Sequence, residues 1–194
     1  FAGVDFNQSL LLKGKDAEAF MAALAGKPGG DQAVGQVTKV EGAISSEGFV
    51  LLAYDGFDGK LGLNWKPVRP DPSHVSLKKT PGALTITTQR GSIHGEETKD
   101  AFGEGIKAKN IYVIDNPLAP GGDFVVTTCV SGFTPETNYQ QAGLIIYNDD
   151  DNYLKFGYEY NWPKQGGQAF CILTETDAKS DFHYLDPENS GLKR

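Results

Sequence analysis

YQQAGLIIYNDDDNYLKFGYEY, residues 139–160, is the stretch whose reading decides the fold. Asn148-Asp149-Asp150-Asp151-Asn152 is a run of turn formers between two segments rich in β-branched and aromatic residues, the pattern of a β-hairpin. A turn centred on Asp150 pairs Gln141 with Glu159, Ala142 with Tyr158, Gly143 with Gly157, Leu144 with Phe156, Ile145 with Lys155, Ile146 with Leu154 and Tyr147 with Tyr153. Side chains alternate along a strand, so Leu144, Ile146, Leu154 and Phe156 share one face, which reads as core. The opposite face carries Gln141, Glu159, Ile145 and Lys155, with Gly143 and Gly157 opposed between them. Glycine inside a strand marks a bulge, a contact with a neighbouring loop or a close approach to the backbone. A bare patch ringed by an amide, a carboxylate and an ammonium suits a hydroxyl-rich ligand.

Outward from the hairpin the chain reads as a succession of strands. Ala83 to Thr88 (ALTITT) alternates, Asn110 to Ile114 leads into an Asp-Asn-Pro turn, and residues 123–130 (DFVVTTCV) and 169–174 carry the β-branched pattern. Strands are also expected over 36–40 and 49–54. The single helix signal is DAEAFMAALA, residues 16–25, capped by Asp16 and ended by Gly26-Lys27-Pro28-Gly29-Gly30. Phe20 and Leu24 give that helix a docking face. Residues 1–49 thus read as a strand and helix segment packed on a larger domain, residues 50–194. Consecutive antiparallel strands with short turns, in a chain with 24 Gly, 10 Pro and 11% aromatic residues, favour an all-β sandwich.

A formal net charge of −7 argues against nucleic acid or an anionic membrane surface as partner. No apolar run approaches the ~20 residues that span a bilayer. The chain starts at Phe1 without a hydrophobic leader, which reads as a mature or trimmed form. Cys129 and Cys171 are the two cysteines. They read as one disulfide if their strands are neighbours or as two buried thiols, the latter favoured because a domain this size needs no staple. Cysteines and histidines are too scattered for a zinc site. The Asp149-Asp150-Asp151 run offers oxygen ligands to calcium, but a polar hairpin turn explains it more simply. No cofactor is called for, with a structural calcium left open.

Three motifs in order carry a resemblance. Tyr54-Asp55-Gly56-Phe57-Asp58-Gly59 precedes Leu63-Asn64-Trp65, and Leu77-Lys78-Lys79-Thr80-Pro81-Gly82-Ala83-Leu84-Thr85-Ile86 follows. Phe124 to Val130, Phe133-Thr134-Pro135, Tyr139 to Leu144 and Asn152 to Lys155 complete the set. This pattern, over about residues 50–178, resembles bacterial concanavalin A-like domains similar to the C-terminal domain of family 43 β-xylosidases and arabinofuranosidases. The resemblance implies a two-sheet antiparallel jelly roll, with one short N-terminal helix added by the pattern above. It also implies a secreted or periplasmic protein of polysaccharide breakdown. The family's catalytic propeller does not fit in this chain, so its glycosidase chemistry does not transfer.

Candidate site residues follow from the chemistry of sugar recognition. Trp162, in the loop after the hairpin, offers an aromatic face for a pyranose, as do Tyr139 and, more often core than platform, Trp65. Arg69 and Arg90 offer rigid donor forks to vicinal hydroxyls, and His94 lies in the same loop as Arg90. Gln141, Gly143, Lys155, Gly157 and Glu159 make the glycine-bearing face itself. Glycoside hydrolysis needs two carboxylates about 5–9.5 Å apart. Glu159 and Glu175 are the most plausible pair, with Asp177 nearby. No nucleophile elbow or serine–histidine arrangement stands out. The reading is a carbohydrate-binding sandwich for oligo- or polysaccharide, an accessory domain or small secreted protein. The alternatives are a glycoside hydrolase or lyase using the concave sheet, and a structural or protein-interaction module.

Overall fold

The computed structural model describes residues 3–7, 52–93, 95–96, 99–100, 105–117, 124–161 and 167–185. The helix expected over 16–25, the strand expected over 36–40, His94 and Trp162 lie outside the described residues. The described residues form antiparallel strands and one 3₁₀ turn, Pro72–His74, so the chain is all-β. No helix among them is long and apolar enough to cross a membrane. In chain order the strands are β1 (Gly3–Asn7), β2 (Lys66–Val68), β3 (Val75–Ser76), β4 (Leu84–Thr87), β5 (Gly95–Glu96) and β6 (Lys99–Asp100). They continue as β7 (Ile111–Val113), β8 (Cys129–Ser131), β9 (Gln141–Asp149), β10 (Asn152–Asn161), β11 (Gly167–Thr176) and β12 (Lys179–Leu185). The chain divides into two compact units, Phe1–Val4 with Thr87–Asn110 and Gly132–Arg194, and Asp5–Ile86 with Ile111–Ser131.

The first unit is built on a four-stranded antiparallel sheet in the order β12-β11-β10-β9. The hairpin register read from the sequence holds pair by pair, from Glu159↔Gln141 through Gly157↔Gly143 to Tyr153↔Tyr147. Asn152↔Asp149 then closes the turn, and the register shift beside it leaves Asn148 as a bulge. Asp149 shapes the turn, accepting from the Asp151 N–H and the Asn152 side-chain amide, both at 2.9 Å. Those bonds pull its carboxyl below the usual carboxylate range, the Asn152 amide contributing most. Lys107 ties the loop before β7 to this tip, its ammonium 3.6 Å from Asp150.

A second hairpin, β11–β12, closes around Asp177 and Ala178, which adopt φ of 50° and 58°. Two consecutive left-handed residues make the turn whose twist matches the flanking strands. Strand β12 was not legible in the sequence, because Asp-Ala is a poor signal for such a turn and KSDFHYL holds no β-branched residue. The two turns support each other: Asp177 N–H donates to Asn152 Oδ1 at 3.2 Å, and Ala178 N–H to Asp151 O at 3.1 Å.

The burial of this sheet departs from the alternation. The apolar face expected as core is half open: Ile146 is 52% and Leu154 38% exposed, with Leu144 and Phe156 half-buried. On that face Phe156 stacks on Phe170 at 5.8 Å and Tyr158 tilts against it at 5.1 Å, so the rings shield one another. The deepest burial lies on the polar face, where Tyr153, Glu159, Ala169, Cys171 and Glu175 are each at most 5% exposed. Long side chains with polar tips cover neighbouring strands with their apolar stems, which lets a polar face bury what lies beneath.

In the second unit, β3 and β4 belong to a sheet ordered β3-β4-β1-β8, and β2 pairs with β7. The strands expected over 83–88 and 110–114 appear as β4 and β7, and Ala83, Leu84 and Thr85 are buried. The strand expected over 123–130 is shortened to its end. Residues 124–128 take no ladder, and pairing begins at Cys129, opposite Asn7. Residues 52–54 likewise form no strand. β-branched composition does not make a strand where no neighbour supplies backbone partners.

Residues 53–65 instead form a loop wound on Asp55, which is only 4% exposed. Its carboxylate accepts from the backbone N–H of Phe57 (2.9 Å), Gly62 (2.7 Å) and Leu63 (3.2 Å) and from Trp65 Nε1 (2.7 Å). These bonds hold Phe57 at φ 52°, unusual for an aromatic residue. Phe57 and Tyr112 pack on the Trp65 ring at 6.1 and 6.4 Å.

Candidate functional site

Four strands and the segment before β9 assemble one polar cluster on the first unit's sheet. Strand alternation and the observed registers put Gln141, Gly143, Lys155, Gly157, Glu159, Ala169, Cys171, Glu175 and Tyr184 on a single face. Glu159 is its centre. It sits on β10 directly opposite Gln141 and receives a hydrogen bond from Tyr184 of β12. Strand β11 lies between β10 and β12, so the Tyr184 side chain reaches across it, over the Ala169–Cys171 stretch. Lys155 Nζ donates to Gln141 Oε1 at 2.5 Å, and its charge attracts Glu159.

The titration of this cluster reflects its desolvation. Burial pushes the Glu159 carboxyl above its ordinary pKa, against the lowering pull of the Tyr184 hydrogen bond and the Lys155 charge. Burial lowers the Lys155 ammonium, against the attraction of Glu159, Cys171 and Glu175. The Cys171 thiol is pushed up to about 11 by burial and then by Glu159. Tyr184 is raised by burial, then by the Glu159 charge and their shared hydrogen bond, and Tyr139 adds a smaller push. Tyr139 lies two residues before Gln141, at the same end of the sheet. It is 53% exposed and held at φ 67°, with its N–H donating to Tyr160 O at 2.9 Å. Farther along the same face, burial and the charges of Glu175 and Asp150 raise the Tyr153 phenol.

The opposed glycines have a different meaning from an open ligand gap. A Cβ on Gly143 would lie 2.2 Å from Phe156 O and 2.5 Å from Gly157 Cα. What approaches Gly143 is the backbone of its partner strand, so a side chain there would force the hairpin apart. Gly157 is less tight, its Cβ meeting Ala142 O at 3.2 Å. These residues let the two strands approach; Gln141 and Tyr139 remain the accessible part of the face.

The carboxylates read as a catalytic pair do not converge. Glu175 lies opposite Tyr153 while Glu159 lies opposite Ala169. Six residues of strand separate the two positions, about 20 Å at roughly 3.3 Å per residue, beyond the span that paired glycosidase carboxylates need. Asp177 occupies the exposed turn beyond Glu175. Trp65, offered as a sugar platform, spends its indole N–H on Asp55 in the second unit. Arg90 is exposed in the segment following β4, and Arg69 adopts φ 50° after β2. Both cysteines are free thiols, Cys171 buried and Cys129 exposed, so burial holds for one of the two.

Tyr184 escaped the sequence reading, and Cys171 was read as a buried thiol but not as part of the cluster. Phe182 and Tyr184, two positions apart, were the available signal, since that spacing puts both rings on one strand face. Among the described residues no group of three or more His, Cys, Asp and Glu side chains forms a metal site. Asp71, Ser73 and His74 do gather on the 3₁₀ turn. There Ser73 Oγ lies 3.0 Å and Asp71 Oδ2 3.3 Å from the same His74 nitrogen, Nδ1. A relay needs serine and carboxylate on opposite ring nitrogens, so this group is a surface cap. No family model matches the chain, and neither a curated protein nor a solved structure matches it significantly.

Proposed function

We propose that the protein is a carbohydrate-binding β-sandwich of the concanavalin A-like type, an accessory domain or small secreted protein in bacterial polysaccharide degradation. The carrying observation is the cluster centred on Glu159, where an amide and a phenol stand beside an exposed aromatic ring, Tyr139. Sugars are recognised by that combination, an apolar ring for the C–H face and polar groups for the hydroxyls. The left-handed backbone at Tyr139 supports the reading, since such strain costs about 1–3 kcal/mol and collects at binding sites. The half-open apolar face of the sheet suits the second layer of a sandwich.

A glycan array followed by calorimetry tests this with Tyr139→Gly. Glycine adopts the left-handed conformation without strain, so the variant should be as stable as the parent or more so while losing glycan binding. Unaltered binding would remove Tyr139 from the site, and a parent that binds no glycan would overturn the function. Hydrolysis is the weaker alternative because Glu159 and Glu175 stand too far apart to act together.

A further inference from the structure

We infer that Gln140 is the positioning residue of the Tyr139 platform, holding residues 137–140 as a preformed turn that presents the ring to a ligand. The inference rests on the carbohydrate-binding reading of Tyr139 and adds the device that fixes its ring in place.

The turn is unusual for its sequence. The Gln140 N–H donates to Thr137 O at 3.1 Å, which closes four residues. Tyr139 is the third of them, at φ 67°, whereas Asn138 before it is not in the positive-φ region. Those are the signs of a type II turn, whose third position requires φ above zero and favours glycine or asparagine. Here asparagine stands one place early and a tyrosine takes the strained position. Core packing does not account for it, because Tyr139 is 53% exposed. Backbone strain persists only where its surroundings over-determine it, and it gathers where a side chain is used.

Gln140 supplies that over-determination. Its Oε1 accepts from the Glu136 N–H at 2.7 Å and the Thr137 N–H at 3.1 Å, on the segment entering the turn. Its backbone oxygen accepts from the Tyr160 N–H at 3.1 Å, and the Tyr139 N–H donates to Tyr160 O at 2.9 Å. One residue thus ties the turn to β10 through its main chain and to the preceding loop through its side chain. The base of that loop is fixed separately. Pro135 is buried, its carbonyl accepts from Gln168 Nε2 at 3.3 Å, and Gln168 Oε1 accepts from the Tyr158 hydroxyl. A ligand stacking on Tyr139 meets a backbone already in place, so less of its binding free energy goes into ordering the loop.

The test compares the parent chain with Gln140→Met and Gln140→Glu. Methionine keeps the length of the side chain but offers only a weak acceptor, whereas a carboxylate accepts the same two bonds. Amide hydrogen exchange is measured first, without ligand. Glu136 and Thr137 should be protected in the parent and in Gln140→Glu, and should exchange at least ten-fold faster in Gln140→Met. Unchanged protection of the β10 and β11 amides shows that the variant is folded. Calorimetric titration with soluble xylan, galactomannan and mixed-linkage glucan follows. Whichever binds the parent should bind Gln140→Met at least five-fold more weakly and Gln140→Glu within two-fold. At saturation it should restore Glu136 and Thr137 protection in Gln140→Met. Unprotected Glu136 and Thr137 in the free parent overturn the preformed turn. Undiminished affinity in folded Gln140→Met, or no rescue by Gln140→Glu, overturns the positioning role. All of these leave carbohydrate binding standing. Binding of no polysaccharide by the parent chain overturns carbohydrate binding itself, and this inference with it.

Discussion

Two buried carboxylates organise two regions of this molecule, and their partners differ in kind. Asp55 is wrapped by four N–H donors, three from the backbone of its own loop and one from Trp65. Glu159 is met by side chains, the Tyr184 hydroxyl from β12 and the Lys155 charge from its own strand. Backbone donors are in place once the loop has folded, and with Trp65 they engage both Asp55 oxygens. That carboxylate, buried by its own loop, is a structural centre. Glu159 is held by side chains, which a substitution can remove one at a time. A buried acid can therefore serve as a knot or as the base of a site, and the source of its hydrogen bonds separates the two roles.

The largest expected effect is at the knot. Asp55→Ala strands four donors in a loop with little access to water, and should cost about 3–5 kcal/mol. A urea denaturation midpoint measures it, and a loss below about 1 kcal/mol would break the contrast. Next comes the sheet beneath the site. Gly143→Ala should cost about 3 kcal/mol, because its Cβ meets backbone rather than a side chain that can swing away. Gly157→Ala should cost clearly less, and equal losses from the two would show that the hairpin is not pinched at Gly143.

A smaller pair of changes compares the two side-chain donors directly. Trp65→Phe removes one of the Asp55 donors and should cost about 1.5 kcal/mol, the range of a hydrogen bond to a charged group. Tyr184→Phe should cost less in thermal unfolding, since that phenol lies at a site's edge. The reverse order would reassign the roles of the two acids.

The smallest effect is in the pH dependence of stability. Glu159 is raised above its ordinary 4.5 in the folded protein. The folded state therefore keeps this proton to higher pH than the unfolded chain does. Its contribution is complete below about 4.5 and is lost as pH rises through the folded pKa. Glu159→Gln should flatten that part of the melting temperature profile between pH 4 and 7. An unchanged profile would mean that Tyr184 and Lys155 fully offset its burial.

Much of the hairpin was legible because strand register is a local property. Turn formers bounded by alternating residues leave few ways to pair 141–159, and the observed partners follow from that constraint. The same local rules recovered β4 and β7. They failed for residues 124–128, where β-branched composition meets no partner, and for β12, where a weak turn signal hid a paired strand. They left the role of Gly143 open, since a glycine pair looks the same in sequence whether a ligand or the opposing backbone fills the space.

By itself the sequence determined the all-β class, the hairpin register and the grouping of Gln141, Lys155 and Glu159 on one face. Each follows from periodicity within a few residues. Tertiary structure alone decided that Tyr184 crosses β11 to Glu159, that Glu175 lies far along the sheet, and that Trp65 serves Asp55. It also decided that the polar face is buried more deeply than the apolar one. These outcomes depend on which distant segments come together, and alternation along a single strand carries no information about what lies above its face.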